Sequence, residues 1–137
     1  MNLIGCAALF FILALLVWWL DPNARRERRF TTKLKVREPL SDAAMVSRYF
    51  ATDDIVPETP GRVRRLFAKQ MGYPADKLLP DDDLTFYWYD LDMIELMKEL
   101  EVDFGIEITD KDAEGTPCTI RDVSLLVSGK VKRLTCI

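Results

Sequence analysis

Residues 90–114 read DLDMIELMKELEVDFGIEITDKDAE. Met93/Ile94, Met97, Leu100 and Phe104 recur at three- and four-residue intervals, with Leu96 at the margin. That spacing predicts an amphipathic helix from about Asp90 to Phe104. Asp92, Glu95, Lys98, Glu99, Glu101 and Asp103 fall chiefly outside the stripe, so the other face is acidic. Asp90 suits the N-cap, where a carboxylate accepts from orphan N–H groups and opposes the helix dipole. Gly105 fits the stop position. After Ile106-Glu107-Ile108, Thr109-Asp110-Lys111-Asp112 reads as the cap and first turn of a short helix.

The same logic extends outward in both directions. Thr119-Ile120-Arg121-Asp122 starts a last helix with Val123, Leu126 and Val127 inward, and the polar, basic tail from Ser128 is expected to fray. Upstream, Val63, Leu66, Phe67 and Met71 give a helix over Thr59–Met71, with Arg62, Arg64, Arg65 and Lys69 mostly outward. Gly72 and Pro74 end it. Ser41 caps a short helix to Phe50 whose apolar face is Met45, Val46, Tyr49 and Phe50. Residues 73–89, YPADKLLPDDDLTFYWY, are expected to form a long loop pinned by Leu78, Leu79 and Leu84. Asp81-Asp82-Asp83 reads as a solvated turn rather than a metal site. Phe86-Tyr87-Trp88-Tyr89 reads as partial core packing, with a partner hot spot as the competing reading.

The N-terminal end has a different character. Leu3–Leu20, LIGCAALFFILALLVWWL, carries no charge over 18 residues. As a helix it spans about 27 Å, close to the hydrocarbon thickness of a bilayer. Only Met1-Asn2 precede it and no small-residue cleavage site follows, so a single transmembrane anchor is favoured over a signal peptide. Residues 21–37 hold seven basic and two acidic side chains, which the positive-inside rule places in the cytoplasm. Trp18 and Trp19 sit where an interfacial aromatic belt falls, and Arg25, Arg26, Arg28 and Arg29 would lie against anionic headgroups. Residues 30–40 read as a linker, in places extended. The expected localisation is the cell inner membrane, single-pass, with the C-terminal domain cytoplasmic.

Residues 38–137 carry −8, and 76–114 alone carry −11, from 14 acidic and three basic residues. Such a module repels nucleic acid and suits a protein partner with a basic patch. There is no histidine, which excludes a Ser-His-Asp triad, a Cys-His dyad and an HExxH zinc site. Cys6, Cys118 and Cys136 show no CxxC spacing. Asp110-x-Asp112-x-Glu114-Gly115 imitates the opening of an EF-hand, but its twelfth place is Arg121. No metal and no cofactor are expected. With only Asp90 and Asp92 as candidate carboxylates and no phosphate loop, neither is an enzyme.

The order of elements over about 57–128 resembles the acyl carrier protein family. The resemblance is carried by residues 90–114 and by Thr119-Ile120-Arg121-Asp122-Val123. It implies an all-α, acyl-carrier-protein-like four-helix bundle, here preceded by a short helix and the transmembrane helix. The implied layout is 1–20 transmembrane helix, 21–40 basic juxtamembrane linker, 41–128 helical domain and 129–137 basic tail. In that family the serine of an Asp-Ser-Leu motif bears the phosphopantetheine arm. Here the motif reads Tyr89-Asp90-Leu91, so the attachment residue is replaced by Asp90. The acidic face Asp92, Glu95, Glu99 and Asp103, with Trp88 and Asp90, resembles the surface by which carriers dock basic partners. The expectation is a membrane-anchored docking or regulatory protein without a prosthetic group. The rivals are a true acyl or peptidyl carrier of a membrane pathway and an immunity-type binding protein.

Overall fold

The computed structural model describes residues 3–87, 92–115 and 119–136, except for the side chains of Asp92 and Gly115. The chain divides into two compact units, residues 1–36 and 37–137. All regular structure among the described residues is helical.

The first unit holds α1 (Leu3–Leu20) and α2 (Pro22–Val36). α1 has a mean hydropathy of 2.6 and no buried residue, and is long and apolar enough to cross a membrane. The chain breaks at Asp21. Its carboxylate accepts from the Asn23 N–H at 2.9 Å, and Pro22 occupies the first helical position. α2 overturns the expectation of an extended segment at 30–36. The run Ala24–Arg29 is made of strong helix formers, and Lys33 and Lys35 favour the negative C-terminal end. The Thr31 and Thr32 hydroxyls donate to the Glu27 and Arg28 carbonyls at 2.9 Å each, so both threonines sit within the helix instead of ending it.

The second unit holds α3 (Asp42–Tyr49), α4 (Thr59–Met71), α5 (Asp92–Phe104), α6 (Asp110–Gly115) and α7 (Ile120–Thr135). α4 is central, packed on α3, α5 and α7. It ends as expected at Gly72, whose φ of 72° is the left-handed conformation glycine adopts without strain. Ser41 and Thr119 cap α3 and α7, accepting from the Ala44 and Asp122 N–H groups. The core joins Met45, Phe50, Val63, Phe67, Leu78, Leu84, Leu96, Leu100, Ile120, Val123 and Val127, all buried. Each such large side chain contributes roughly 1.5–3 kcal/mol on burial.

Four expectations change. The apolar face of α5 is centred on Leu96 and Leu100, while Ile94 is 56% exposed. Leu96 and Leu100, four apart, therefore set the face turned to α4, rather than the 93/94–97–100–104 line. Arg64 is buried at 2% exposure, because its guanidinium donates to Asp42 and to the Leu78 carbonyl, tying α3 and the following loop to α4. The segment from Ser128 does not fray. α7 runs on to Thr135, held by the Val56 N–H donating to Ser128 Oγ at 2.7 Å and by Lys130 on Asp112 at 2.7 Å. Of the triple aspartate, Asp81 and Asp83 are exposed as a solvated turn requires, but Asp82 is buried. Arg37 grips Asp82 through two bonds of 2.7 and 2.9 Å, and Arg121 holds Asp81.

Candidate functional site

α5 begins at Asp92, and its face toward α4 sets which acidic groups reach solvent. Glu95 is exposed and has no ion pair among the described residues. Glu99 accepts from Lys69 at 3.1 Å through Oε1, while its Oε2 is buried with no hydrogen-bond partner. Asp103 is clasped by Arg62, at 3.1 Å on Oδ2 and 2.6 Å on the backbone carbonyl. The same guanidinium lies over the Phe104 ring, 4.1 Å from its centroid. Glu101 faces elsewhere and accepts from the Ile108 N–H at 2.7 Å, fixing the chain after Gly105. The expected acidic face is thus partly neutralised by Arg62 and Lys69 of α4, while Val63 of the same helix is buried in the core.

Between α4 and α5 lies a groove of about 380 Å³, lined by Leu66, Lys69, Glu95, Lys98, Glu99, Val102 and Asp103. Val102 is 85% exposed at its rim. A second pocket of about 280 Å³ lies between α5 and α6, with Met93, Ile94, Met97, Ile108 and Ala113 as its apolar wall. α6 is fastened by reciprocal bonds. The Thr109 N–H and hydroxyl donate to Asp112 at 2.9 and 2.8 Å, and the Asp112 N–H donates back to Thr109 Oγ1 at 3.3 Å. Lys130, with these Thr109 bonds, holds the Asp112 carboxyl far below the ordinary carboxylate range.

Trp88 and Asp90 lie outside the described residues, as do Tyr89 and Leu91; Asp92 opens α5, its side chain outside the description. Of the aromatic run, Phe86 and Tyr87 are half-buried, and the Tyr87 hydroxyl donates to the Gln70 carbonyl at 2.6 Å. Among the described residues no group of three or more metal-ligating side chains converges.

Sequence reasoning passed over two arginines. Arg37 donates to the Lys77 carbonyl and to Asp82, which also accepts from the Leu79 N–H at 2.8 Å. Arg121 reaches the Tyr49 carbonyl, Asp53 and Asp81, and stacks 4.9 Å from the Phe50 ring centroid. Asp81, with Asp53, raises the Arg121 guanidinium above its already high value, and Arg121 in turn lowers Asp81. Their signal was spacing-free: a basic residue with no periodic role, at an element boundary facing a run of aspartates.

In the first unit, Arg25 donates to the Trp19 carbonyl at 3.2 Å and to that of Leu20 at 3.4 Å. Arg28 lies over the Trp18 ring, 4.9 Å from its centroid. Arg26 and Arg29 are exposed on α2.

No family model and no solved structure matches the chain. It is similar to the acyl carrier protein of Thermosynechococcus vestitus, at 34% identity over 74 residues that make up 51% of this chain and 88% of that protein. Nearly the whole of a carrier is therefore matched within half of this chain, on an all-helical architecture. The chain belongs to the acyl carrier protein family.

Proposed function

We propose that this is a membrane-anchored member of the family that bears no phosphopantetheine and acts as a docking module for a partner with a basic patch. One observation carries the reading: Asp90 stands where the resemblance places the attachment serine. A carboxylate has no hydroxyl from which to form the phosphodiester. The chain's other serines do not take over. Ser124 and Ser128 are buried at 0% and 1% exposure, Ser41 caps α3, and Ser47 lies on α3, apart from the start of α5. The α1 span and the basic residues after it support single-pass anchoring in an inner membrane, with the second unit cytoplasmic. Docking rests on Glu95 and the groove beside it, with Asp92, Glu99, Asp103, Trp88 and Asp90 as the surrounding candidates.

The test is the intact mass of the full chain after co-expression with a phosphopantetheinyl transferase. The expected mass is that of the bare polypeptide, and an added arm overturns the reading. A second reading, a true carrier of a membrane-associated pathway, is favoured by the apolar pocket of Met93, Met97 and Ile108. The same mass measurement separates the two.

A further inference from the structure

α6 is held to the second unit in a different way from the other helices. None of its described side chains, Asp110 to Glu114, is buried, and Ala113, its one apolar side chain, lines the pocket against α5. The extensive packing of the unit joins α3, α4, α5 and α7 without it. So little apolar area leaves water that burial holds α6 only weakly. The bonds between Thr109 and Asp112 are internal, so they fix the shape of α6 and not its place. Its place is fixed by polar contacts. Glu101 of α5 accepts from the Ile108 N–H at 2.7 Å, and Lys130 of α7 reaches Asp112 at 2.7 Å.

Lys130 is itself firmly placed. Its side chain is only 16% exposed. On either side of it, Ser128 accepts from the Val56 N–H and Lys132 pairs with Asp54. Lys130 also lies beyond residues 57–128, so its contact belongs to the part of α7 outside the carrier resemblance. At the other end of the segment, Gly105 has a φ of 64°, a conformation that glycine enters and leaves without steric cost.

We propose that α6 is a lid on the α5–α6 pocket, latched shut from α7 by Lys130 and hinged at Gly105, and that it opens while the core of the domain stays folded. Met93, Ile94 and Met97 of the pocket wall come from α5, which Leu96 and Leu100 fasten to the core; Ile108 and Ala113 come from the lid segment. Opening separates the two halves of the wall and bares Met93 and Met97, both half-buried when it is shut. A helix placed by polar contacts opens for a fraction of the cost of global unfolding. The device does not depend on whether a phosphopantetheine arm is present.

Hydrogen exchange of the full chain in detergent, read by mass spectrometry, tests this with K130Q. Peptides over 108–114 should exchange about tenfold faster than in the native chain, because a hydrogen bond between charged groups is lost. Peptides over 63–68 of α4 and 120–127 of α7 should keep their native rates. Brief treatment with hydrogen peroxide reads the pocket: Met93 and Met97 should oxidise faster in K130Q, and the fully buried Met45 should not. Unchanged exchange over 108–114 overturns the latch. Equal acceleration in α4 shows Lys130 supporting the whole fold and overturns the lid. Faster exchange without faster oxidation of Met93 and Met97 shows α6 fraying in place, which overturns the lid as well.

Discussion

The three consecutive aspartates of the α4–α5 loop should respond to alanine in three different ways, with Asp82→Ala the most damaging. Asp82 and Arg37 have side chains exposed by only 6% and 12%. Asp82 takes both terminal nitrogens of Arg37 and also the Leu79 N–H. Removing one partner of a largely buried pair costs about 3–5 kcal/mol, because the other charge stays behind without its counterion. Arg37 keeps the Lys77 carbonyl, which holds its share near the low end of that range. The orphaned Leu79 N–H adds about 1 kcal/mol. The sum, about 4 kcal/mol, is a large fraction of a domain's usual stability. With a urea slope of about 1.5 kcal/mol per molar, the midpoint falls by about 2.7 M. Asp83 is exposed and accepts from the Thr85 N–H and hydroxyl within its own turn, so Asp83→Ala is expected to cost less than about 1 kcal/mol. Asp81 lies between them: its side chain is 59% exposed and Arg121 keeps Asp53 and the Tyr49 carbonyl when it is removed. Urea unfolding of the detergent-solubilised chain, followed by circular dichroism, ranks the three. The double variant R37M/D82L separates charge from packing, because exchanging a buried pair for apolar groups is often neutral or better. It should recover most of the loss. An Asp82→Ala midpoint no lower than that of Asp83→Ala would refute the buried clamp.

Gly61→Ala brings a Cβ within 2.6 Å of Asp42 Oδ2, and that carboxylate is held by Arg64 and Arg65, so the expected loss is about 1–3 kcal/mol. Adding Asp42→Ala removes the two closest contacts and leaves the 3.1 Å approach to the Cβ of residue 42, and chemical unfolding of the double variant should show less than the sum of the two single losses. Ser128→Ala strips the Val56 N–H of its acceptor and should cost about 1–2 kcal/mol, read as a lowered urea midpoint. In acid, three carboxylates act together. For Asp42, burial works against ionisation, but the Arg64 and Arg65 guanidiniums outweigh it; Arg121 lowers Asp81, and Lys130 with Thr109 lowers Asp112. Each folded value lies below the ordinary 3.8, so the stabilisation is complete above about pH 5 and is lost as pH falls through those values. The urea midpoint should decline below about pH 4, and a midpoint that rises there would contradict the sign.

Most of the fold was legible because its signals are local. The limits of α4 and the caps Ser41, Thr109 and Thr119 follow from residues within one turn of the boundary, and the structure places them where the sequence does. What was illegible depends on partners far along the chain. Nothing within a turn of Arg64 announces burial; its acceptors are Asp42 and Leu78. Asp82 looks like its neighbours until Arg37, 45 residues away, is placed against it. The helix from Ser128 to Thr135 looks polar enough to fray, and it is Val56, Asp54 and Asp112 that hold it. The linker reading of 30–40 missed the end of α2 for a different reason: its last turns, from Phe30 to Val36, are mostly β-branched and apolar residues that continue a helix set by the strong formers Ala24–Arg29.

The candidate site shows the same division, and it decides how the docking proposal must be tested. An acidic helix read from sequence counts every carboxylate equally. In the folded chain, Asp103 is clasped by Arg62 and Glu99 by Lys69. Reversing either charge sets two cations face to face across the α4–α5 joint, so a weakened partner affinity would report a disturbed joint as readily as a lost docking contact. Glu99 is the worse choice, since its second oxygen is buried without a hydrogen-bond partner and a lysine there would be forced outward. Glu95 is free of this difficulty: it is exposed, has no ion pair among the described residues, and lines the groove beside Val102. Glu95→Lys should therefore leave the unfolding free energy from urea titration within about 0.5 kcal/mol of the native chain. In quantitative affinity purification of tagged full-length protein, the same variant should lose most of whatever basic partner the native chain retains. Retention of that partner by Glu95→Lys at native levels, with the fold intact, removes α5 as the docking surface.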